Sequence, residues 1–404
     1  MKSPTIIFAT CGRWQAPAIL AAKSLGFSCL GIDSNPNAYG FNFCDNKIVV
    51  DDLNDISLIL KVLNEKNVYV KGVISYCSDA GQRLTFALRE HFDIPTDQYC
   101  VTENFLDKGK QRKIWDNSLG QSVRWKLFTE LEVAKNYIYS QSNPVVIKPV
   151  DAAGSRGVNI FDKSSFTEAI FYLEESFNHS KKGQIIIEEF IEGVEYTMDA
   201  FSYKGKVFPL LITEKIKVSD NLKTVSSELH VLQKSVKLHS EISNFVAKAI
   251  NALGKENGPT HSELMVQPDG KMQMIESAAR GGGFNLASKL LPMVSGINYP
   301  LICIKEAAGI LSESDLKINA EDLTGKMRFL VAKYGVVSSI KGFNNVSDDG
   351  NSFAEAFVNP GDVLSDPSTD SDRTGCLIAV GSTQEEVISR MAHLERETEV
   401  EINT

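Results

Sequence analysis

The chain has 404 residues, of which 43% are hydrophobic and 23% are charged, and its formal net charge is -9. A single compact core rarely extends over this length, so we expect two or three domains. The composition excludes a disordered or fibrous protein, and the negative charge gives no general attraction to nucleic acid or to an anionic membrane. A small molecule is therefore the expected partner.

The seven cysteines are scattered and include no C-x-x-C pair, which favours reduced thiols over a zinc or redox site. After one lysine, the chain begins with an apolar stretch over 6–9 that is too short for the core of a signal peptide. No long uncharged apolar run follows it. These features predict a cytoplasmic protein with no membrane contact.

The first region alternates strand-like and helical patterns. Strands are predicted over 5–9, 28–32, 47–50 and 72–76, and helices over 16–25, 56–65 and 79–91. A strand, a helix and a second strand in this order favour parallel pairing. We therefore predict a doubly wound α/β domain over 1–98.

The regions that follow have a mixed α+β pattern. A connecting segment over 99–120 is predicted to be helical over 102–118, with a positive face formed by Lys108, Lys110, Arg112 and Lys113. Further units are expected over 121–207 and 208–325. The last stretch, 326–404, alternates strands and turns, ends in a helix over 383–396 and is expected to pack on the unit before it.

A glycine-rich turn is the first candidate site. A strand over 145–148 leads from Lys148 into a turn that contains Gly154, Ser155, Arg156 and Gly157. Because glycine has no Cβ, the backbone amides of such a turn can approach phosphate oxygens, and the lysine adds a positive charge. An ordinary hairpin with a surface lysine has the same pattern, so neighbouring motifs must decide between them.

Two acidic motifs follow. Glu188 and Glu195 flank a glycine after an apolar strand, where carboxylates could accept hydrogen bonds from a nucleoside or simply end a solvated loop. Glu263 and Glu276 lie on either side of a Pro-Asp-Gly turn, so a regular hairpin centred on Asp269 and Gly270 would place them opposite each other. Such a pair suits Mg²⁺, although two glutamates on a solvent-facing sheet would share the pattern.

These motifs, in this order, resemble the ATP-grasp superfamily, specifically its carboxylate-amine ligases of the L-amino-acid-ligase and carbamoyl-phosphate-synthase-like kind. The resemblance implies a preliminary domain followed by a two-part ATP-grasp fold, with a small lid over 121–207 and a large subdomain over 208–325. It implies that ATP is bound by Lys108, Lys148, Gly154, Ser155, Arg156, Gly157, Glu188, Glu189, Phe190, Ile191 and Glu195. It also implies Mg²⁺, with Mn²⁺ as an alternative, at Glu263 and Glu276, and catalytic roles for Arg280 and His261.

The substrate would be bound by Arg280, Glu228, His230, Gly282 and Gly283. The chain departs from the family pattern at Ala278, where many members have asparagine, and in the spacing of Glu228 and His230. The expected activity is ligation of a carboxylate to an amine through an acyl phosphate. A bicarbonate-activating carboxylase and a non-catalytic ATP-binding module stay open as alternatives, and the family makes a homodimer plausible.

Overall fold

The computed structural model describes residues 3–120, 123–162, 166–217, 226–318, 321–332, 334–343, 345–347, 349–366 and 369–403. In these ranges the strands form four sheets. No helix within them combines the length and the apolar character that crossing a membrane requires.

The N-terminal domain is a four-stranded parallel sheet with the order β3-β2-β1-β4. Its elements are β1 (Thr5–Ala9), α1 (Ala16–Ser24), β2 (Ser28–Asp33), β3 (Asn46–Val49), α2 (Ile56–Lys66), β4 (Val70–Ile74) and α3 (Gln82–His91). Every residue of β1 is buried, as expected for a strand at the centre of a parallel sheet that helices cover on both faces. The predicted α/β domain is confirmed.

The connecting segment contains two helices rather than one, α4 (Tyr99–Phe105) and α5 (Lys108–Leu119). The Asp107 side chain accepts a hydrogen bond from the Lys110 amide and so caps a new helix. Lys108 and Arg112, one turn apart, are buried on the inner side of α5, whereas Lys110 and Lys113 are exposed. The prediction of one positive face is therefore wrong. The helical period places two of the four basic side chains on the buried side of α5 and the other two on its exposed side.

A small antiparallel sheet follows, with the order β5-β8-β6-β7. Its elements are β5 (Trp125–Phe128), α6 (Leu131–Ser140), β6 (Val145–Pro149), β7 (Asn159–Phe161), α7 (Phe166–His179) and β8 (Ile185–Glu189). Ile147 and Ile187 pack in the core that both helices share. Since side chains alternate along a strand, Lys148 and Glu188 project from the opposite face.

The rest of the chain builds a nine-stranded sheet with the order β13-β12-β9-β10-β11-β14-β19-β17-β16 and a three-stranded sheet with the order β18-β15-β20. The strands are β9 (Val194–Tyr203), β10 (Lys206–Lys217), β11 (Ser226–Val231), β12 (Gly258–Val266), β13 (Met272–Ala278), β14 (Thr324–Val331), β15 (Gly335–Lys341), β16 (Asn345–Val346), β17 (Ser352–Ala356), β18 (Val363–Leu364), β19 (Arg373–Gly381) and β20 (Glu399–Asn403). The helices are α8 (Lys237–Ala252), α9 (Leu291–Ser295), α10 (Tyr299–Ala307) and α11 (Gln384–Glu397).

Two of the predicted unit boundaries fall inside strands of this large sheet. The 207/208 boundary lies within β10, and the 325/326 boundary lies within β14. Strands β14, β19, β17 and β16 extend the same sheet. The C-terminal region is thus part of the large subdomain's sheet, which turn signals in the sequence could not reveal because the linking hydrogen bonds are long-range.

Candidate active site

The centre of the candidate site is the hairpin of β12 and β13. Its turn is centred on Asp269, with the Gln267 amide bonded to the Lys271 carbonyl at 2.9 Å. Regular pairing from this turn would place Glu263 opposite Ile275, but a bulge after Glu263 pairs it with Glu276 instead. The predicted opposition of the two glutamates is confirmed, although a bulge rather than the turn produces it.

A lysine contacts each of these glutamates. Lys108 Nζ lies 3.0 Å from Glu276 Oε1 and donates to the Ala152 carbonyl at 2.6 Å. Lys215 Nζ lies 3.1 Å from Glu263 Oε1 and 2.7 Å from a carboxylate oxygen of Glu195. The two positive charges offset the repulsion that adjacent carboxylates would otherwise have.

Sequence reasoning did not single out Lys215. It lies in β10 between Thr213 and Lys217, and alternation puts the three side chains on one face of the sheet. The second oxygen of Glu195 accepts from Lys217 at 2.7 Å. Burial would raise the pKa of Glu195, but Lys215 and Lys217 outweigh it and lower that pKa. Lys215 and Lys217 at alternating positions of one strand were the sequence pattern that could have pointed to this part of the site.

Glu188 is held between two cations on the inner face of the small sheet. Arg112 Nε and Nη2 donate to its two oxygens at 2.7 and 3.0 Å, and Lys148 Nζ donates at 2.7 Å. Burial would raise the pKa of Glu188, but the charges of Arg112 and Lys148 lower it to about 2. Burial lowers the pKa of Lys148. Because its carboxylate is only 4% exposed and paired twice, Glu188 positions Lys148 in this structure.

The glycine-rich turn leads from β6 to β7. Gly154, Ser155 and Gly157 have φ values of 69°, 59° and 66°, in the left-handed region that favours glycine. A Cβ at Gly157 would lie 3.0 Å from the His179 ring, so a larger residue there would be both strained and crowded. Arg156 is exposed, and Ser155 Oγ lies 3.4 Å from a carboxylate oxygen of Asp370. The turn therefore reaches from the small sheet to the C-terminal region.

The segment after β8 joins the small sheet to the large one. Glu189 pairs with Arg124 on the surface at 2.7 Å, and the Phe190 amide donates to the Pro144 carbonyl at 3.0 Å. Phe190 is exposed and Ile191 is half-buried. The structure thus places the predicted ATP-binding residues Glu189, Phe190 and Ile191 in the connection between the two sheets.

The loop after β13 contacts the N-terminal domain. Arg280 Nε donates to Asp79 at 2.9 Å, and the Gly281 amide donates to the Tyr76 carbonyl at 3.0 Å. Asp79 follows the carboxyl end of β4, which is where ligands bind in parallel sheets. The sequence analysis did not predict a role for Asp79, although an acidic residue shortly after a predicted parallel strand could have indicated one.

His261 lies beside the glutamate pair. Its Nδ1 is 3.1 Å from Asp199, a buried carboxylate whose other oxygen accepts from the Gly282 amide at 2.9 Å. Burial would lower the pKa of His261, but Asp199 and Glu263 raise it to about 9. In this structure the two carboxylates thus favour the protonated imidazole. A Cβ at Gly282 would lie 3.1 Å from His261, whereas Gly283 faces open space.

Comparison with known proteins identifies the fold that carries this site. The family model described as the ATP-grasp domain matches residues 141–288, and the model described as L-amino acid ligase C-terminal domain 2 matches 328–403. The chain carries an ATP-grasp domain. The first match includes Lys148, Glu188, both glutamates of the hairpin and Arg280.

Proteins similar to this chain include ligases. An alanine-anticapsin ligase from Bacillus subtilis is 29% identical over 208 residues, which are 46% of this chain and 43% of that protein. The match therefore spans less than half the length of this curated relative. The crystal structure of an L-amino acid ligase from Bacillus licheniformis has a TM-score of 0.82 at 20% identity and covers 100% of both chains.

A carboxylase domain has the same fold. The biotin carboxylase domain of 2-oxoglutarate carboxylase from Hydrogenobacter thermophilus, solved with MgADP and bicarbonate, has a TM-score of 0.76 at 17% identity. It covers 100% of this chain and 91% of that one. At such identities the likeness shows the ATP-grasp fold alone.

The ATP-grasp sheet does not bring Glu228 and His230 to this site. Their register partners on β10 are Ile216 and Glu214, whereas Lys215 pairs with Leu229. Directly paired residues project to the same side of a sheet, so Glu228 and His230 lie on the face opposite Lys215 and Glu263. The prediction that Glu228 and His230 bind the substrate is therefore wrong for this structure. Side chains alternate along β11, and both residues project from the face opposite the glutamate pair.

On that opposite face Glu228 is the centre of an ion cluster. It accepts from His230 at 2.6 Å, from Lys326 at 2.9 Å and from Arg328 at 2.6 Å. Burial would raise the pKa of Glu228, but these hydrogen bonds and charges lower it to about 2. Arg328 also pairs with Glu395 of α11. The cluster thus joins β11, β14 and α11.

We expect Glu228→Gln to lower stability without lowering ATP turnover. A carboxyl whose pKa falls on folding stabilises the protein above its unfolded pKa of about 4.5, and this contribution is lost as the pH falls towards 2. The free energy of unfolding should drop by up to about 3 kcal/mol at pH 7, and by progressively less below pH 4.5. Urea unfolding of both proteins between pH 7 and pH 3 measures this difference. A selective loss of turnover at unchanged stability would restore the substrate role.

The donor set of the glutamate pair fits Mg²⁺. Glu263 and Glu276 are half-buried carboxylates side by side on adjacent strands. Across the described part of the chain, no group of three or more His, Cys, Asp or Glu side chains forms a complete metal site. Mg²⁺ usually takes only one or two carboxylates and completes its shell with water and substrate phosphates. Two glutamates are therefore sufficient, and Ala278 adds no ligand.

Proposed function

We propose that this protein is an ATP-dependent ligase that phosphorylates a substrate carboxylate and joins the resulting acyl group to an amine. The observation that carries the proposal is the in-register pair Glu263 and Glu276, each within 3.1 Å of a lysine. Lys148 and Arg280 add two further cations held by buried or half-buried acids. Such a group of lysine, arginine and carboxylate side chains is suited to binding a polyphosphate and a metal ion together.

The chemistry explains why these residues are needed. A carboxylate is a poor acyl donor because oxide would be its leaving group, and phosphorylation supplies a better one. Lys108 and Lys148 would exchange their carboxylate partners for phosphate oxygens, and Arg280 would offset the charge of the transferred group. Mg²⁺ held by Glu263 and Glu276 would neutralise phosphate charge and polarise the reacting phosphoryl group. His261, which lies 3.1 Å from Asp199 and 3.9 Å from Glu263, would help to position Glu263.

The relatives suggest the substrate class. Both the alanine-anticapsin ligase and the L-amino acid ligase are named for joining amino acids or related compounds. We therefore propose an amino acid as at least one substrate, with ATP and Mg²⁺ as the cofactors. A cytoplasmic location stays a prediction from the sequence, and a homodimer stays a prediction from the family resemblance.

A phosphate-release assay over pairs of amino acids and small organic acids tests the proposal, with mass spectrometry of the product. We expect release to require ATP, Mg²⁺ and both substrates. Lys148→Met should lower turnover by about a hundredfold or more, whereas Lys248→Met, a matched change at an exposed position of α8, should not.

Two other results would count against the ligase, and a third would count against the role of Lys148. Release that needs bicarbonate and no amino acid would indicate a carboxylase. ATP binding without turnover across the whole panel would indicate a binding module. Turnover that survives Lys148→Met would remove the lysine from the site.

A further inference from the structure

Two cysteines of the N-terminal domain lie side by side next to Gly31. Cys11 follows β1, and Cys44 follows the short helix Tyr39–Phe43. The Gly40 amide donates to the Cys11 carbonyl at 2.7 Å, which ties the two segments together. A Cβ at Gly31 would collide with the sulfur of Cys11 and lie 3.0 Å from that of Cys44. Both sulfurs thus occupy the space that a side chain at Gly31 would fill.

The two thiols differ in accessibility and acidity. Cys11 is fully buried, whereas Cys44 is half-buried. The interaction between the two thiols lowers the pKa of Cys44 and raises the pKa of Cys11, and burial adds to the rise at Cys11. An accessible thiol of lowered pKa beside a second cysteine is the arrangement that favours oxidation followed by disulfide formation.

We propose that Cys11 and Cys44 form a reversible intrachain disulfide when a peroxide oxidises this protein. The Cys44 thiolate attacks one oxygen of hydrogen peroxide, the O–O bond breaks, and a sulfenic acid forms as hydroxide leaves. The hydroxide takes up the proton that the Cys44 thiol had lost and becomes water. The sulfur of Cys11 then attacks the sulfur of Cys44, the S–O bond breaks and a second water leaves. Two electrons pass from the thiols to the peroxide, which becomes two waters, and a dithiol reductant reverses the change.

Formation of the disulfide would alter the packing next to the candidate active site. Cys11 precedes the turn that contains Arg13 and Trp14, and the Trp14 ring lies 4.9 Å from the rings of Phe284 and Phe357. Arg13 donates to the Phe357 carbonyl at 2.9 Å. Both thiols are free in this structure, so the sulfurs must approach to about 2.05 Å to bond, and the segments that carry Cys11 and Cys44 must move to allow it. We infer that oxidation moves Trp14 against Phe284, next to the glycine loop after Arg280.

Peptide mapping tests the bond directly and does not depend on the ligase activity. After hydrogen peroxide treatment and non-reducing digestion of the full chain, we expect a cross-linked peptide pair with Cys11 and Cys44 that dithiothreitol separates. Cys44→Ser should abolish it, and Cys11→Ser should leave a Cys44 sulfenic acid that dimedone traps. Cys100→Ser, a change at an exposed thiol, should leave the cross-link intact.

Several outcomes would overturn the assignment. A bond between Cys44 and Cys29, an intermolecular bond, or free Cys11 and Cys44 after peroxide treatment would each do so.

Tryptophan fluorescence tests whether the disulfide alters the packing of Trp14 next to the candidate active site. We expect an oxidation-dependent emission shift in the full chain that both Cys44→Ser and Trp14→Phe remove. Unchanged emission in a fully cross-linked sample would overturn the coupling to Trp14.

Discussion

Replacing Glu276 with glutamine is expected to lower ATP-dependent phosphate release by about a hundredfold to a thousandfold, the scale of losing a group that stabilises charge in a transition state. The substitution keeps the size and shape of the side chain, so the hairpin and its bulge should persist. It removes one of the two carboxylates that would hold Mg²⁺ and frees Lys108 from its partner. The dependence of the rate on Mg²⁺ concentration should shift to higher concentrations if any activity is left.

The matched experiment uses three variants measured by phosphate release and by urea unfolding. Glu263→Gln should behave like Glu276→Gln, because the two side chains are a register pair. Glu241→Gln, on α8 in an exposed pair with Lys237, should leave the rate unchanged. Full turnover in either hairpin variant would remove the glutamate pair from the mechanism and with it the main support for the ligase.

Replacing Arg112 with alanine is expected to lower the free energy of unfolding by about 3–5 kcal/mol, the cost of breaking a buried ion pair. Arg112 and Glu188 are each 4% exposed, and Arg112 supplies two of the three hydrogen bonds that Glu188 accepts. Its Nη2 also donates to the Ile275 carbonyl at 2.8 Å, next to the hairpin bulge. Loss of Arg112 leaves a buried carboxylate with Lys148 as its remaining cation.

Urea unfolding measures this loss against an exposed pair of the same type. Arg124→Ala removes the partner of Glu189, and because Arg124 is 72% exposed, we expect it to cost no more than about 1 kcal/mol. The triple variant Arg112→Met, Glu188→Met and Lys148→Met should recover stability relative to Arg112→Ala, since it removes the buried carboxylate together with both of its cations. Equal effects of Arg112→Ala and Arg124→Ala would contradict the buried network.

Part of the candidate site could be predicted from the sequence, because the patterns that mark it lie within short segments of the chain. The strand before Lys148 and the Pro-Asp-Gly turn between Glu263 and Glu276 are short patterns of apolar, glycine and turn residues. The parallel domain likewise follows from alternating strands and helices. The order of these motifs along the chain then indicated the ATP-grasp fold, which the family models confirm.

The partners of these residues required the tertiary structure. Asp79 reaches Arg280 from another domain, and Lys215 reaches Glu263 across two intervening strand pairings. Such contacts depend on register and packing between segments distant in sequence, which no local pattern encodes. The same holds for the charges that pair with Glu188.

The sequence by itself determined the parallel N-terminal domain, the glycine-rich turn and the Pro-Asp-Gly hairpin between the two glutamates, because each rests on local periodicity or turn chemistry. The structure alone decided which face each side chain occupies. A helix cap at Asp107 divided the basic segment, a bulge brought Glu276 opposite Glu263, and the pairing of β11 turned Glu228 away. A shift of one residue reverses the face of a side chain in a strand, and long-range hydrogen bonds set that register.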